Sequence, residues 1–326
     1  MNALRSLLVR REIGIVVMIV LFCIAVGIAK PQFLTVNELR LILLLIPLIL
    51  IGAMGQMLVI VARHVDLSIG SSQALAAIIT GMMFKFLPGV PWPVGFVVAI
   101  GIGTILGFVN GALITLFRLP AIIVTLGTLN LYRGLTFIVS NARQIDRQFI
   151  PSELKAMSTG PLPWIIVIAV GVALLTYWFA NHTRVGRQVF ALGSNPVAAP
   201  LRGIPVTAVT LMVFSISGAL AGLTGILYAS RWGFVNPSNT GSGFEFQVIA
   251  AVVIGGVSIN GGVGSVLGVT LGVLLLGCVS AALPLLSIPG TAQSAIYGAV
   301  IIIALLIDRS VRQRGIAVLA AQRARA

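Results

Sequence analysis

The chain has 326 residues, of which 58% are hydrophobic and only 9% charged, with a formal net charge of +14 and a mean hydropathy of +1.11. A water-soluble fold of this length cannot hide so much apolar surface, which excludes a soluble domain and points to a polytopic membrane protein. The positive charge does not indicate nucleic acid, because the basic residues flank apolar runs and no aromatic-rich basic surface segment occurs.

The apolar runs are continuous rather than alternating, and a spanning backbone must satisfy its hydrogen bonds internally. Both points predict helices rather than a barrel, and hence an all-α bundle. The first run, 13–29, follows Arg5, Arg10 and Arg11; it is long for a signal-peptide core and reads as an uncleaved first helix. Nine more spans are predicted at 40–62, 67–86, 93–117, 120–139, 164–180, 207–229, 246–258, 265–283 and 291–307. The eighth is short for a hydrocarbon core of about 30 Å, so a half-helix or re-entrant piece is an alternative there. No soluble domain interrupts the chain, which is read as one transmembrane domain over 1–326. Cys23 and Cys278 lie inside apolar runs and read as small packing residues. Glycines recur at four-residue spacing at Gly103, Gly107 and Gly111, at Gly218 and Gly222, and at Gly264, Gly268 and Gly272, which lets helix backbones approach closely in lipid.

Ten spans place both termini on one side. If that side is the cytoplasm, its segments hold thirteen of the basic residues and the outer segments seven, with Arg133 inside a span. The bias fits the positive-inside rule with N and C termini cytoplasmic. The longest outer loop, 140–163, is expected to be a short ordered cap. The stretches 59–77 and 227–251 echo one another: each ends a span, passes an arginine, crosses an acidic, Gly-rich link and starts a short span. Five spans separate them, which is the pattern of inverted five-helix repeats.

No G-x-x-x-x-G-K-[ST] loop, G-x-S-x-G elbow or H-E-x-x-H helix occurs, and His64 and His182 have no ligand-spaced companions. An enzyme or metal site is not expected. Of seven acids, only Asp66 and Glu245 sit in short links that dip towards the membrane, which is thin equipment for an ion-gradient-driven carrier, the alternative function. Polar residues within or beside the spans are Asn110, Thr125, Thr128, Asn130, Arg133, Gln247, Gln293 and Tyr297. Thr125, Thr128 and Tyr132 share one helical face. Threonines commonly bond back to their own helix, and Arg133 is placed to snorkel to the outer surface.

The basic segment 184–206 lies between spans six and seven. Asn195 or Ser194 is placed to cap a short helix started by Pro196, with Val197, Ala198 and Ala199 as a small-residue face, and Gly203 and Pro205 stop it. Such a compact helix suits a groove on a partner.

Four stretches carry a resemblance: "GRQVFALGSNPVAAPLRGI" (186–204), "DLSIGSSQALAA" (66–77), "GFVNGALITLFRLPAIIVTLGTLNLYRGL" (107–135) and "GFEFQVIAAVVIGGVSINGGVGSVLG" (243–268). In that content and order the chain resembles bacterial ABC sugar-importer permeases of the ribose, rhamnose and autoinducer-2 type. The resemblance implies a permease paired with an identical or related second permease subunit in the bacterial cytoplasmic membrane. It implies an ABC ATP-binding subunit that holds ATP and Mg, so this chain itself has no cofactor, and a periplasmic sugar-binding protein. It assigns ATPase coupling to Gly193, Ser194, Asn195, Ala198, Ala199 and Gly203. Lining or shaping of the translocation pathway falls to Asp66, Ser68, Asn110, Thr125, Thr128, Arg133 and Gln247.

Overall fold

The computed structural model describes residues 11–160, 163–289 and 292–303. Among the described residues, eight helices are long and apolar enough to cross a membrane: α1 (Arg11–Ala29), α2 (Val36–Val61), α3 (Ile69–Phe86), α4 (Trp92–Leu116), α5 (Ala121–Ser140), α7 (Trp164–His182), α10 (Val206–Trp232) and α12 (Val266–Leu285). Between them lie the outer helix α6 (Ser152–Thr159), the pair α8 (Arg184–Ser194) and α9 (Ala198–Leu201), and the shorter apolar helices α11 (Phe244–Ile254) and α13 (Ala292–Ile303). The last predicted span, 291–307, falls partly outside the described residues. Pro91, Pro120, Pro151, Pro163 and Pro205 each stand immediately ahead of a helix, where a missing N–H costs no ladder bond.

Helix α2 is the axis of the bundle. It is buried along nearly its whole length from Ile42, and α10, α12, α7 and α11 pack around it. The most extensive pairing joins α4 to α10. Its cause is the glycine rows: a side chain at Gly103 or Gly107 would run into the carbonyls of Gly218 and Phe214, and one at Gly222 into the carbonyl of Ala99. The same logic holds α11 on α12, where Gly268 and Gly272 approach the carbonyls of Gly255 and Ala251. In lipid, where water supplies no hydrophobic drive between helices, such close van der Waals contact is a main source of association. Cys23 of α1 and Cys278 of α12 are free thiols that meet where those helices pack.

The eighth predicted span is a half-helix. Eleven residues rise about 16 Å, roughly half the hydrocarbon core. The Phe244 ring at its start packs against Gly52, midway along α2, so α11 begins in the interior of the bundle. Helix α3 also starts below the surface. Arg63 ends α2 in the left-handed conformation (φ 68°), with the Arg63 N–H bonded to the Ile60 carbonyl and the His64 N–H to the Val59 carbonyl. The chain then turns back to Asp66, which reaches Ser217 at the level of Gly55, about 9 Å before the end of α2. The packing of α4 on α10, α3 on α10 and α3 on α4 is matched by α12 on α2, α11 on α2 and α11 on α12. These three matched pairs are those that two five-helix halves would form.

Candidate functional site

At one end of the bundle, three backbone segments meet. The Gly262 N–H donates to the Val61 carbonyl at the end of α2 (2.9 Å). Gly193, in the last turn of α8, lies so close to the Val61 carbonyl and the Gly262 nitrogen that a Cβ there has no room. A Cβ at Gly262 would in turn strike Ser194. Thr183 caps α8 by accepting from the Gly186 N–H at 2.9 Å, and α8 buries Gly186, Val189, Leu192 and Gly193 along one side. The side chain of Asn195 then accepts from the Ala198 N–H (3.0 Å), as the sequence predicts, and Gly203 (φ 75°) closes α9. The predicted small-residue face is divided. Ala199 is 3% exposed and turned into its own chain, whereas Val197 (80%) and Leu201 (85%) project outward. The start of α1 lies at this same end, since Ser265 donates to Glu12 at 3.2 Å.

A second group lies inside the bundle. Asp66 Oδ1 accepts from the Ser68 N–H (2.9 Å) and hydroxyl (2.7 Å), and Oδ2 from the Ser217 hydroxyl (3.4 Å). Asn110 donates to the Ser68 hydroxyl (2.7 Å), and the Tyr132 hydroxyl lies 3.2 Å from the Asn110 carbonyl oxygen. Thr125 sits 3.2 Å from the Val65 carbonyl as well as 2.9 Å from Ala121 of its own helix. The structure therefore gathers Asp66, Ser68, Asn110 and Thr125 into one network tying α3, α4, α5 and α10 together. Thr128 is buried one turn away at 3.4 Å from the Thr125 carbonyl. All of these side chains are buried, so they face one another rather than an opening.

Arg133 and Gln247 lie elsewhere. Arg133 Nη1 donates to the carbonyls of Thr240 (2.7 Å) and Pro237 (3.3 Å), holding the loop between α10 and α11. That loop is tied to the outer cap by an antiparallel bridge between Ile145 and Val235 and by Asn236 donating to Gln144 at 3.2 Å. Gln247 donates to the Tyr297 hydroxyl (3.0 Å), which is also 3.0 Å from Ser280. Gln247 lines a cavity of about 360 Å³ between α2, α3, α10, α11 and α13. Gln73, Tyr228, Arg231 and Trp232 also line it. The sequence alone does not single out these four for a site, nor Ser217. A polar residue within an apolar run is the signal that could have found Gln73 and Ser217.

Comparison with known proteins gives the same identity along the chain. The family described as "Branched-chain amino acid transport system / permease component" matches residues 39–305. The autoinducer 2 import system permease protein LsrC of Photorhabdus luminescens is 34% identical over 308 residues, covering 93% of this chain and 91% of the relative. The proteins of the same name from Escherichia coli O9:H4 and Shigella flexneri are each 34% identical over 308 residues, covering 93% of this chain and 88% of the relative. No solved structure matches. With most of its length matched by that profile, and with its apolar helices in place, the chain belongs to the branched-chain amino acid transport system permease family.

Proposed function

We propose that this chain is the membrane permease subunit of a binding-protein-dependent ABC importer, working as a single permease domain that moves a monosaccharide or sugar-like signal inward. The likeness to autoinducer 2 import permeases over 93% of the chain carries this reading. Autoinducer-2-type and rhamnose-type solutes are the leading cargo, ahead of ribose. The α8–α9 segment supports the mechanism. It offers Val197 and Leu201 outward and is fastened at Gly193 to the end of α2 and to the loop ahead of α12. A cytoplasmic ATP-binding partner that seats on Val197 and Leu201 would move α2 and α12 together through Gly193, switching the bundle between two packed arrangements. Gly193, Ser194, Asn195, Ala198, Ala199 and Gly203 then act by shaping that connection. Under this reading ATP and Mg belong to the partner, a second permease subunit completes the pathway, and a periplasmic binding protein delivers solute to the face carrying α6.

Affinity purification in mild detergent from the native host, with mass spectrometry of the associated proteins, tests the reading. A stoichiometric ATP-binding subunit is the expected result. Recovery of the chain alone, under conditions that preserve other membrane complexes, would overturn it in favour of an ion-driven carrier.

A further inference from the structure

The cavity beside Gln247 gathers amide, hydroxyl and aromatic side chains in one place. Its floor is Gln73, one turn into α3 and 2% exposed, whose Oε1 has no hydrogen-bond partner among the described residues. That oxygen is itself buried, packed towards Gly241. Further amides come from Gln247 and Gln293, and hydroxyls from Tyr228 and Tyr297. The Trp232 ring stands at the wall, with Tyr228 at 6.2 Å between ring centroids and the Arg231 guanidinium 5.2 Å from its centroid. Amides that both donate and accept, phenol hydroxyls and a flat aromatic wall are the groups that recognise a ring carrying hydroxyls on its edge and C–H bonds on its faces. The described residues that line the cavity include no His, Cys, Asp or Glu. At about 360 Å³ the cavity lies near the lower end of the range of about 300–1,000 Å³ for small-molecule pockets, which suits one ring rather than an oligosaccharide.

We propose that this cavity is a binding site for one monosaccharide-sized cyclic polyol, lined by residues of this chain. The choice of ligand rests on the importer reading; the site rests on the geometry. Gly241 forms the contact beneath it, where the loop meets Gly70 and where Gln73 Oε1 lies 3.3 Å from the position of an added Cβ. Below that contact the buried Asp66 network begins. Solute would therefore wait at the outer half of the chain, above a closed polar plug.

The test uses the full transporter in nanodiscs without ATP. Trp232 emission, taken as the difference from a Trp232→Phe transporter, is followed while L-rhamnose, D-ribose, D-xylose and autoinducer 2 are titrated, with mannitol as an acyclic control. The expected result is a saturable response to at least one cyclic solute and none to mannitol. Gln247→Ala and Gln293→Ala should each weaken it about tenfold, the loss of one well-made hydrogen bond. Both variants are first checked for assembly with the partner subunits; Gln293, only partly buried at the start of α13, serves where Gln247→Ala does not assemble. No saturable response to any solute, or a response unchanged in the assembled variants, would overturn the site. ATP-dependent uptake measured in parallel separates the two readings. Uptake with a silent Trp232 removes the site and leaves the importer. A Trp232 response without uptake removes the importer and leaves the site.

Discussion

The Asp66 carboxylate accepts three hydrogen bonds in a place closed to water, two from Ser68 and one from Ser217. Asp66→Ala strands those donors, and each unpaired buried group costs about 1–3 kcal/mol. The detergent-solubilised protein should therefore melt at a clearly lower temperature in a thermal-shift assay; an unchanged melting temperature would contradict the network. Asp66→Asn keeps the acceptor facing Ser68, so ATP-driven uptake should fall no more than a few-fold, whereas a carrier coupled through this carboxylate would lose uptake. Gly193→Ala forces a methyl group into the Val61 carbonyl and the Gly262 nitrogen. Overpacking of this kind costs about 1–3 kcal/mol, and the same melting assay reads it. At this scale the sequence is informative about which residue types are unusual and silent about their partners. Asp66, Ser68, Asn110 and Thr125 stand out as polar groups near apolar runs, but nothing in one dimension says that Ser68 sits against Asn110. Arg133 shows the limit most plainly. Its span places it near the outer end, where snorkelling is the default, and only the fold supplies the carbonyls of Pro237 and Thr240 that hold it.

Among the elements, the long helices are legible to within a few residues because twenty apolar residues in a row have one stable solution in lipid. Helix α8 is not legible. The sequence marks 184–194 only as part of a basic segment ahead of the short helix, and its buried side of Gly186, Val189, Leu192 and Gly193 gains meaning only against α2, α7 and α10. The short α9 is expected from the sequence, yet its orientation is not: Ala199 points inward and Val197 and Leu201 outward. This decides how the coupling role is tested. Ala199→Arg would bury a charge in the chain's own packing and disrupt the fold itself. Val197→Arg and Leu201→Arg place the charge on the outward face. Each should cut ATP-driven uptake at least about tenfold by weakening the seat of the partner, since disrupting a hot-spot residue at an interface centre costs about 2 kcal/mol or more. Membrane insertion and melting temperature should not change. Normal uptake in both variants would remove this face from the coupling role.

For the whole molecule, the sidedness is internally consistent. The start of α1, the α8–α9 pair and the loop ahead of α12 share one end, while α6 and the loop between α10 and α11 share the other. Reporter fusions after residue 195 should accordingly read cytoplasmic, and fusions near residue 150 periplasmic; the opposite pattern would reverse the orientation given by the positive-inside bias. The packing of α4 on α10 has its counterpart in α12 on α2, and the α6 cap lies in the link between the two halves. That cap is sewn to the rim of the Gln247 cavity by the Ile145–Val235 bridge and the Gln144–Asn236 contact. A spectroscopist placing spin labels at Lys155 and Ser238 would thus be labelling one platform twice. Their separation should hold constant through the transport cycle, and a label there becomes a fixed origin from which the travel of every other segment can be measured.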